Sequence, residues 1–318
     1  MLIVGSDDGV YRFGDIDGGA GEPRKVLDSG RVMRLRTFEA VVGAFAATRT
    51  GLYHTRDGET WTELGVPRDQ VYAVGASPAG DRLYVGTRPA AVYVTDVGDG
   101  PRAEDPGWRE LAALQTLPSR ESWRLPRHED IAQVRDVHAL DAGRVVVGVE
   151  VGGVHLGHDG GATFDERRAG VDPDIHELHA AGNEEWIAAT GTGLYRTVNA
   201  GRTWNRLDEG VVQSYFRAAI EADGVVYGAG AMSNSSTWED PDADPELFAW
   251  RGETLEPVSL PTDDETVTGL ATVGGTVVAG THRGSLLIRR ADGWERAGAF
   301  PVPGELTGRY TPLAACNP

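Results

Sequence analysis

The sequence predicts an all-β chain, a single seven-bladed β-propeller with four-stranded blades that spans residues 1–318. The first observation is a repeated sequence motif, clearest at Gly193–Thr197, in which apolar and polar residues alternate as in a half-buried strand. A polar turn and another short strand follow most copies. The second observation is the spacing of the copies, which is 39 to 42 residues except at two places. A period near 40 residues with several short strands per unit is typical of propeller blades.

Each repeat divides into four strands, which we name A to D from the channel outward. Strand A is a short segment such as Val71–Val74, and strand B follows it after a turn, as in Leu83–Thr87. Strand C is the repeated sequence motif, and strand D often begins near a tryptophan, as in Thr203–Leu207. Seven B–C pairs predict seven blades. The apolar or aromatic anchors of strand C are Tyr11, Tyr53, Tyr93, His155, Tyr195, Phe248 and Leu287.

The two ends of the chain are predicted to complete one blade together. The first repeat has no room for a strand A before Leu2, whereas Leu306–Ala315 resembles a strand A with nothing after it. Pairing between these segments would close the ring and leave no long unpaired strand edge. We therefore expect the C-terminal strand to complete the first blade.

Two insertions break the period, and both are predicted on the same face of the ring. Residues 114–133 lie in a D–A connection and residues 231–246 in a B–C connection, and these connections emerge together because strand direction alternates. Long loops on a rigid scaffold are usually functional or disordered, and a shared face favours function. Trp123 and Trp238 are expected to be exposed there as anchors for a protein partner. The Pro- and Asp-rich surroundings of Trp238 are equally compatible with a disordered loop.

The turns between strands C and D carry a recognisable motif. Gly157–Phe164 and Thr197–Trp204 match the pattern Ser/Thr-x-Asp-x-Gly-x-Thr-Trp/Phe, with Gly157 and Asn199 as departures, and Thr55–Trp61 is one residue short. The sequence thus resembles the Asp-box (BNR-repeat) propellers, which include sialidases, other glycoside hydrolases, sortilin-type receptor domains and photosystem II assembly factors. The resemblance implies the fold and a structural role for these turns, and it identifies no activity.

The composition is strongly acidic, with a formal net charge of −18, and Lys25 is the only lysine among 30 Lys and Arg residues. Such a surface is typical of halophilic archaeal proteins, although a GC-rich genome also favours Arg over Lys. It argues against nonspecific nucleic-acid binding, which needs clustered cations. Cys316 is the only cysteine, so no disulfide within the chain is expected and a reducing, cytoplasmic location fits. The sequence contains no run of about 18 apolar residues, so no membrane-spanning helix is expected.

The A strands are predicted to line the central channel, where side chains from distant parts of the sequence meet. One hypothesis is a divalent-metal site formed by two carboxylates and two imidazoles. A second is an anion site in which arginines hold a carboxylate ligand. A third is mutual neutralisation of acidic and basic side chains in a wet channel. The predicted metal ligands are Asp136, His138, Glu177 and His179, and the predicted ligand-binding residues are Arg34, Arg36, Arg217 and His282, the last at the channel mouth.

Fold alone does not determine activity, so three functions remain open from the sequence. The favoured one is a non-catalytic scaffold that binds a protein or peptide through the rim carrying the insertions. The alternatives are a metal-dependent hydrolase or lyase, or a glycosidase-like enzyme, acting in the channel, and a small-ligand sensor. No nucleotide-binding, HExxH or GxSxG motif is present.

Overall fold

A computed structural model of the protein describes residues 1–14, 16, 21–97, 107–126 and 129–316. In it, seven four-stranded antiparallel sheets form a ring, which is the seven-bladed β-propeller that the repeat predicts. In each blade the strands lie in the order A to D, with strand A innermost. Residues 127 and 128 of the first insertion lie outside the described residues.

Strands β1 to β27 fill the blades in chain order, and β28 returns to the first. They are β1 (Leu2–Ser6), β2 (Gly9–Phe13) and β3 (Arg24–Asp28); β4 (Val32–Phe38), β5 (Val41–Thr48), β6 (Gly51–Thr55) and β7 (Trp61–Glu63); β8 (Val71–Ala76), β9 (Arg82–Thr87), β10 (Val92–Asp96) and β11 (Arg109–Glu110); β12 (Val134–Ala139), β13 (Val145–Val149), β14 (Gly153–His158) and β15 (Thr163–Glu166); β16 (Ile175–Ala180), β17 (Trp186–Thr190), β18 (Gly193–Thr197) and β19 (Asn205–Arg206); β20 (Tyr215–Ala222), β21 (Val225–Ala231), β22 (Glu246–Trp250) and β23 (Leu255–Pro257); β24 (Val267–Val273), β25 (Thr276–Thr281), β26 (Ser285–Arg290) and β27 (Gly293–Ala299); and β28 (Leu313–Ala315).

The ring closes through the two ends of the chain, as the sequence predicts. Strand β28 pairs antiparallel with β1, with Leu313 opposite Val4 and Ala315 opposite Leu2. The backbone N–H of Cys316 also donates to the carbonyl of Met1 at 3.0 Å. Leu313 is buried with residues of the first and seventh blades, so closure provides apolar packing as well as hydrogen bonds.

Burial explains why the strands assemble in this way. The innermost strands and their neighbours are buried nearly throughout, whereas several D strands at the outer edge are exposed. Apolar clusters lie between neighbouring blades; one of them joins Phe45 of the second blade to Val74 and Val85 of the third. Each blade therefore buries its faces against the next, which is why the repeat is stable only as a ring.

The C–D turns lie on one face, which we call the lower face, and they are held by short polar side chains. Asp57 accepts hydrogen bonds from the backbone N–H groups of Glu59 and Thr60, both at 2.8 Å. Asn199 accepts from the N–H of Thr203 at 3.0 Å. These contacts are the local, structural role expected for the motif.

The opposite, upper face carries the D–A and B–C connections, including both insertions. Short 3-10 helices occur in them, at Ala112–Thr116, Arg120–Ser122 and Ser235–Thr237. The expectation that Trp123 and Trp238 are exposed is wrong, since their exposed fractions are 2% and 1%. Each insertion folds over its own tryptophan, whose indole N–H donates within the loop to Ser119 Oγ or to the Ser233 carbonyl. A large aromatic side chain contributes more to stability when it is buried in this way.

Removing residues 305–318 should abolish the cooperative fold. The truncation deletes β28 and leaves the edge of β1 unpaired in an apolar environment, which favours aggregation. We expect insoluble protein, or soluble protein without a cooperative thermal transition in calorimetry. A soluble truncated protein that unfolds cooperatively would contradict the role assigned to closure.

A second prediction concerns His155, which is fully buried and stacks on Trp123 with ring centroids 4.8 Å apart. Burial lowers the pKa of His155 from 6.5 to about 4. Between these values the unfolded chain binds a proton that the folded protein does not, so the free energy of unfolding falls as the pH falls from 6.5 to 4. His155→Phe should remove part of this slope, on the order of 1–3 kcal/mol over the interval. Urea unfolding of both proteins across this range measures it, and parallel pH curves would contradict it.

Candidate functional site

The innermost strands of the second to seventh blades each contain a β-bulge. One residue of strand A is skipped in the pairing with strand B, as between Val134 and Asp136. A bulge inserts an extra residue and changes which side chains share a face. The channel therefore has two levels, an upper one with the bulged residues and a lower one with the residues that follow them. The bulged residues are Met33, Tyr72, Arg135, His176, Arg217 and Thr268.

At the lower level a network of buried ion pairs crosses the channel. Arg34 donates to Asp136 Oδ2 at 2.7 Å and to Glu177 Oε1 at 2.8 Å, so one guanidinium joins three blades. Arg36 donates to Asp136 Oδ1 at 3.0 Å, and the backbone N–H of Leu178 donates to Oδ2 at 2.9 Å. Burial works to lower the pKa of Arg34, but the charges of Asp136 and Glu177 outweigh it and the pKa is raised. We call these four charged residues the salt-bridge plug.

The plug changes the interpretation of the predicted channel residues. The carboxylates predicted as metal ligands neutralise Arg34 and Arg36, which were predicted to hold an anion, because oppositely charged groups in a confined space pair with each other first. The cavity at this level is about 10 Å³, room for about one water molecule. A substrate therefore has no space there, and the arrangement matches the third hypothesis, mutual neutralisation.

The two predicted histidine ligands lie next to the plug. His138 Nε2 donates to the carbonyl of Leu178 at 2.6 Å and lies 4.0 Å from Asp136 Oδ1. Burial and the charge of Arg36 lower the pKa of His138 to about 4. Burial and the neighbouring His138 lower the pKa of His179 to about 3. Both imidazoles are therefore neutral near pH 7.

The predicted register of the sixth blade is wrong by one residue. We expected Arg217 at the level of Asp136 and Glu177, but the bulge places Ala218 there, opposite Ala229. Arg217 lies at the upper level. No sequence pattern announces a bulge in this strand, so the alternation of side chains alone gave the wrong level.

Above the plug the channel opens into a wider cavity of about 350 Å³ on the upper face. Charged residues from most of the blades line it, and basic ones outnumber acidic ones. The arginines are Arg31, Arg49, Arg88, Arg135 and Arg217, and the acidic residues are Asp7, Glu150 and Glu305. We call this cavity the arginine funnel. A basic cavity in a protein of net charge −18 concentrates positive potential where a ligand can reach it.

The floor of the funnel contains two buried arginines that share one aromatic ring. The guanidinium of Arg217 lies 3.9 Å from the ring centroid of Tyr310, and that of Arg135 lies 4.4 Å from it. Arg135 pairs with Glu150 at 3.2 Å. For Arg217, the described residues offer no carboxylate within 4 Å, although only 4% of it is exposed. Burial and the charge of Arg135 lower the pKa of Arg217 to about 10, so this cation is poorly compensated.

His282 does not line the funnel, contrary to the prediction. Its side chain is fully buried in the upper face and packs against Trp238, with ring centroids 5.7 Å apart. Its Nδ1 accepts from the backbone N–H of Thr266 at 2.9 Å, and its Nε2 lies 3.3 Å from Glu239. The imidazole thus holds the second insertion against the seventh blade, a contact that no sequence pattern indicates.

Sequence reasoning also missed a group of three side chains beside the funnel, of which Glu150 lines it. Glu150, Asp174 and His176 bring one potential ligand atom each to within 4.8 Å of the others. The bulge in β16 brings His176 to the upper level of the channel in addition to Glu177 at the lower one, whereas an unbroken strand would turn His176 into the blade. The sequence does contain a signal, because His176 directly precedes Glu177, but it points to the channel only once the bulge is known.

Comparisons with known proteins identify the fold. No family model matches the sequence, and no curated protein matches it. A xyloglucanase of family GH74 from Xanthomonas campestris is 14% identical with a TM-score of 0.68 over 98% of this chain and 52% of its own. YCF48 bound to D1 peptide is 16% identical, with a TM-score of 0.57 over 83% of this chain and 81% of its own. The WD40 propeller domain of Doa1 is 12% identical, with a TM-score of 0.59 over 86% and 83%.

This likeness is one of fold. The chain spans about half the length of the xyloglucanase and about a third of two other matched chains. Among the described residues, no helix has the length and apolar character of a membrane span.

Replacing Arg34 should destabilise the protein more than replacing Arg36. Arg34→Met leaves Asp136 and Glu177 buried with less compensation, which typically costs about 3–5 kcal/mol. Arg36→Met is the matched control, because a quarter of the Arg36 side chain is exposed and it contacts only one of these carboxylates. Adding Glu177→Gln to Arg34→Met should recover much of the loss, since Asp136 keeps its pair with Arg36 and no unpaired carboxylate then remains. Urea unfolding gives the four free energies, and equal costs for the two single variants would contradict the plug.

Proposed function

We propose that the protein is a non-catalytic binding propeller that holds an acidic segment of a partner peptide or protein in its arginine funnel. The single observation that carries the proposal is Arg217, a buried cation on the funnel floor whose charge lacks a carboxylate within 4 Å among the described residues. Burying an uncompensated charge is costly, so such residues are usually kept to meet a ligand of opposite charge.

The geometry suits a carboxylate. A guanidinium binds a carboxylate through two parallel hydrogen bonds, and the guanidinium groups of Arg135 and Arg217 both lie against the ring of Tyr310. Arg49 is exposed at the funnel mouth, where it can meet a second acidic side chain. Because the rest of the surface is acidic, an acidic partner would be repelled elsewhere and directed to this cavity.

The size of the site favours a segment of chain over a large substrate. A cavity of about 350 Å³ is at the lower end of small-ligand sites and takes a few side chains. Both insertions border the upper face and could contact the remainder of a partner. YCF48, a propeller of similar fold, has been solved with a bound peptide, which supports peptide binding as a use of this architecture. An enzyme acting in the lower channel is less well supported, because the plug fills it.

The decisive test is a selection of random dodecapeptides with free carboxyl termini against the purified protein, followed by affinity measurement by fluorescence anisotropy. We expect enrichment of peptides with clustered Asp, Glu or terminal carboxylates. Arg217→Met should weaken binding of a selected peptide at least tenfold, about 1.4 kcal/mol. Its cost in stability should be small, because the variant loses a hydrogen bond to the Arg309 carbonyl and the contact with Tyr310 but no carboxylate partner. If Arg217 were purely structural, its replacement would instead lower the free energy of unfolding.

The second blade offers a matched pair of controls. Arg49→Glu reverses an exposed charge at the funnel mouth, whereas Arg56→Glu makes the same change in a C–D turn of the lower face. The first should abolish binding and the second should leave it unchanged. Enriched peptides without acidic groups, or equal effects of the two variants, would contradict the proposal. Tighter binding of free dicarboxylates than of any peptide would instead identify a small-ligand sensor.

A further inference from the structure

Three side chains beside the funnel, of which Glu150 lines it, are placed as metal ligands would be. Glu150 follows strand β13 of the fourth blade, Asp174 precedes strand β16 of the fifth, and His176 is the bulged residue of β16. Their ligand atoms lie within 4.8 Å of one another. Three donors that converge from two blades can bind one metal ion, whereas three carboxylates scattered over a surface cannot.

The hydrogen bonding of His176 is the independent observation that points to a cation. Its Nδ1 donates to the carbonyl of Phe216 at 2.7 Å, which in the neutral imidazole leaves the lone pair on Nε2. His176 is 2% exposed, and its Nε2 has no hydrogen-bond partner among the described residues. The nearest carboxylate oxygen is Asp174 Oδ2 at 3.6 Å. A lone pair facing an anionic oxygen is unfavourable unless a positive charge lies between them.

We propose that Glu150, Asp174 and His176 bind a divalent first-row transition cation of the zinc or manganese type. One imidazole nitrogen and two carboxylates suit these ions better than Mg²⁺ or Ca²⁺, which prefer oxygen ligands. A backbone carbonyl that accepts from the second imidazole nitrogen is the usual arrangement around a metal-bound histidine, because it fixes the ring and its tautomer. The Phe216 carbonyl provides this contact.

The surroundings of the two carboxylates are compatible with the same role. Gln133 and Arg135 both reach Oε2 of Glu150, which leaves Oε1 for a cation while the pair with Arg135 persists. The ring of Tyr215 stacks on His176 with centroids 4.4 Å apart and fixes its plane. A cavity of about 190 Å³ bordered by Asp174, Ser214, Tyr215 and Asn234 gives water access to complete the coordination.

The test is calorimetric titration of tag-free, chelator-treated protein with ZnCl₂ and with MnCl₂, accompanied by thermal unfolding with and without each salt. We expect one cation per chain, a raised melting temperature, and much weaker binding of Mg²⁺. Asp174→Asn and Glu150→Gln keep the shape of each side chain, and each should weaken binding at least tenfold. Glu184→Gln, an exposed carboxylate at the lower end of the fifth blade, is the matched control and should bind as the wild type does.

The outcomes separate a metal site from a proton-linked pair and from misfolding. Absence of saturable binding of both cations to the wild type would overturn the proposal, and so would variants that bind as tightly as Glu184→Gln. Melting temperatures measured without metal show whether each variant is folded; where Asp174→Asn is not, Glu150→Gln decides. The result does not depend on peptide binding, because no peptide is present, so the metal site and the proposed function fail or succeed separately.

Discussion

One extra residue in the innermost strand of six of the seven blades determines what the channel of this ring contains. Without the bulge, side chains would alternate strictly between the channel and the blade interior, and a single level of residues would face the axis. With it, Arg135 and Asp136 both reach the channel at different depths, and so do His176 and Glu177. The lower residues neutralise one another in the plug. The upper ones are left to form a cavity whose charges are unequal.

The fold followed from the sequence because it depends on periodicity, whereas the site depends on single registers. Seven copies of a strand pattern average out local errors, so the blade number and the ring closure were predicted and are confirmed. The level of Arg217 rests on one bulge, and alternation gave the wrong answer for it. Trp123 and Trp238 were expected on the surface because they occur in loops; each is instead the core around which its loop folds.

The contrast between surface and funnel charge has a physical consequence for any ligand. A net charge of −18 repels anions at long range, with screening over about 10 Å at moderate salt. Inside the funnel, five arginines and three acidic residues line the cavity, so the local charge favours a positive potential there. An acidic ligand is therefore disfavoured over most of the molecule and favoured at one place. Higher salt weakens the long-range repulsion more than the contacts inside the cavity.

Glu150 connects the two parts of the upper level. Its carboxylate is the partner of Arg135 on the funnel floor and also belongs to the group with Asp174 and His176. A cation bound by this group would draw on the negative charge of Glu150, so Arg135 would be less compensated and the funnel more attractive to a carboxylate. Coupling between two binding free energies is reciprocal, so an acidic ligand on Arg135 would strengthen cation binding by the same factor. Glu150 is therefore the residue whose contacts affect both sites.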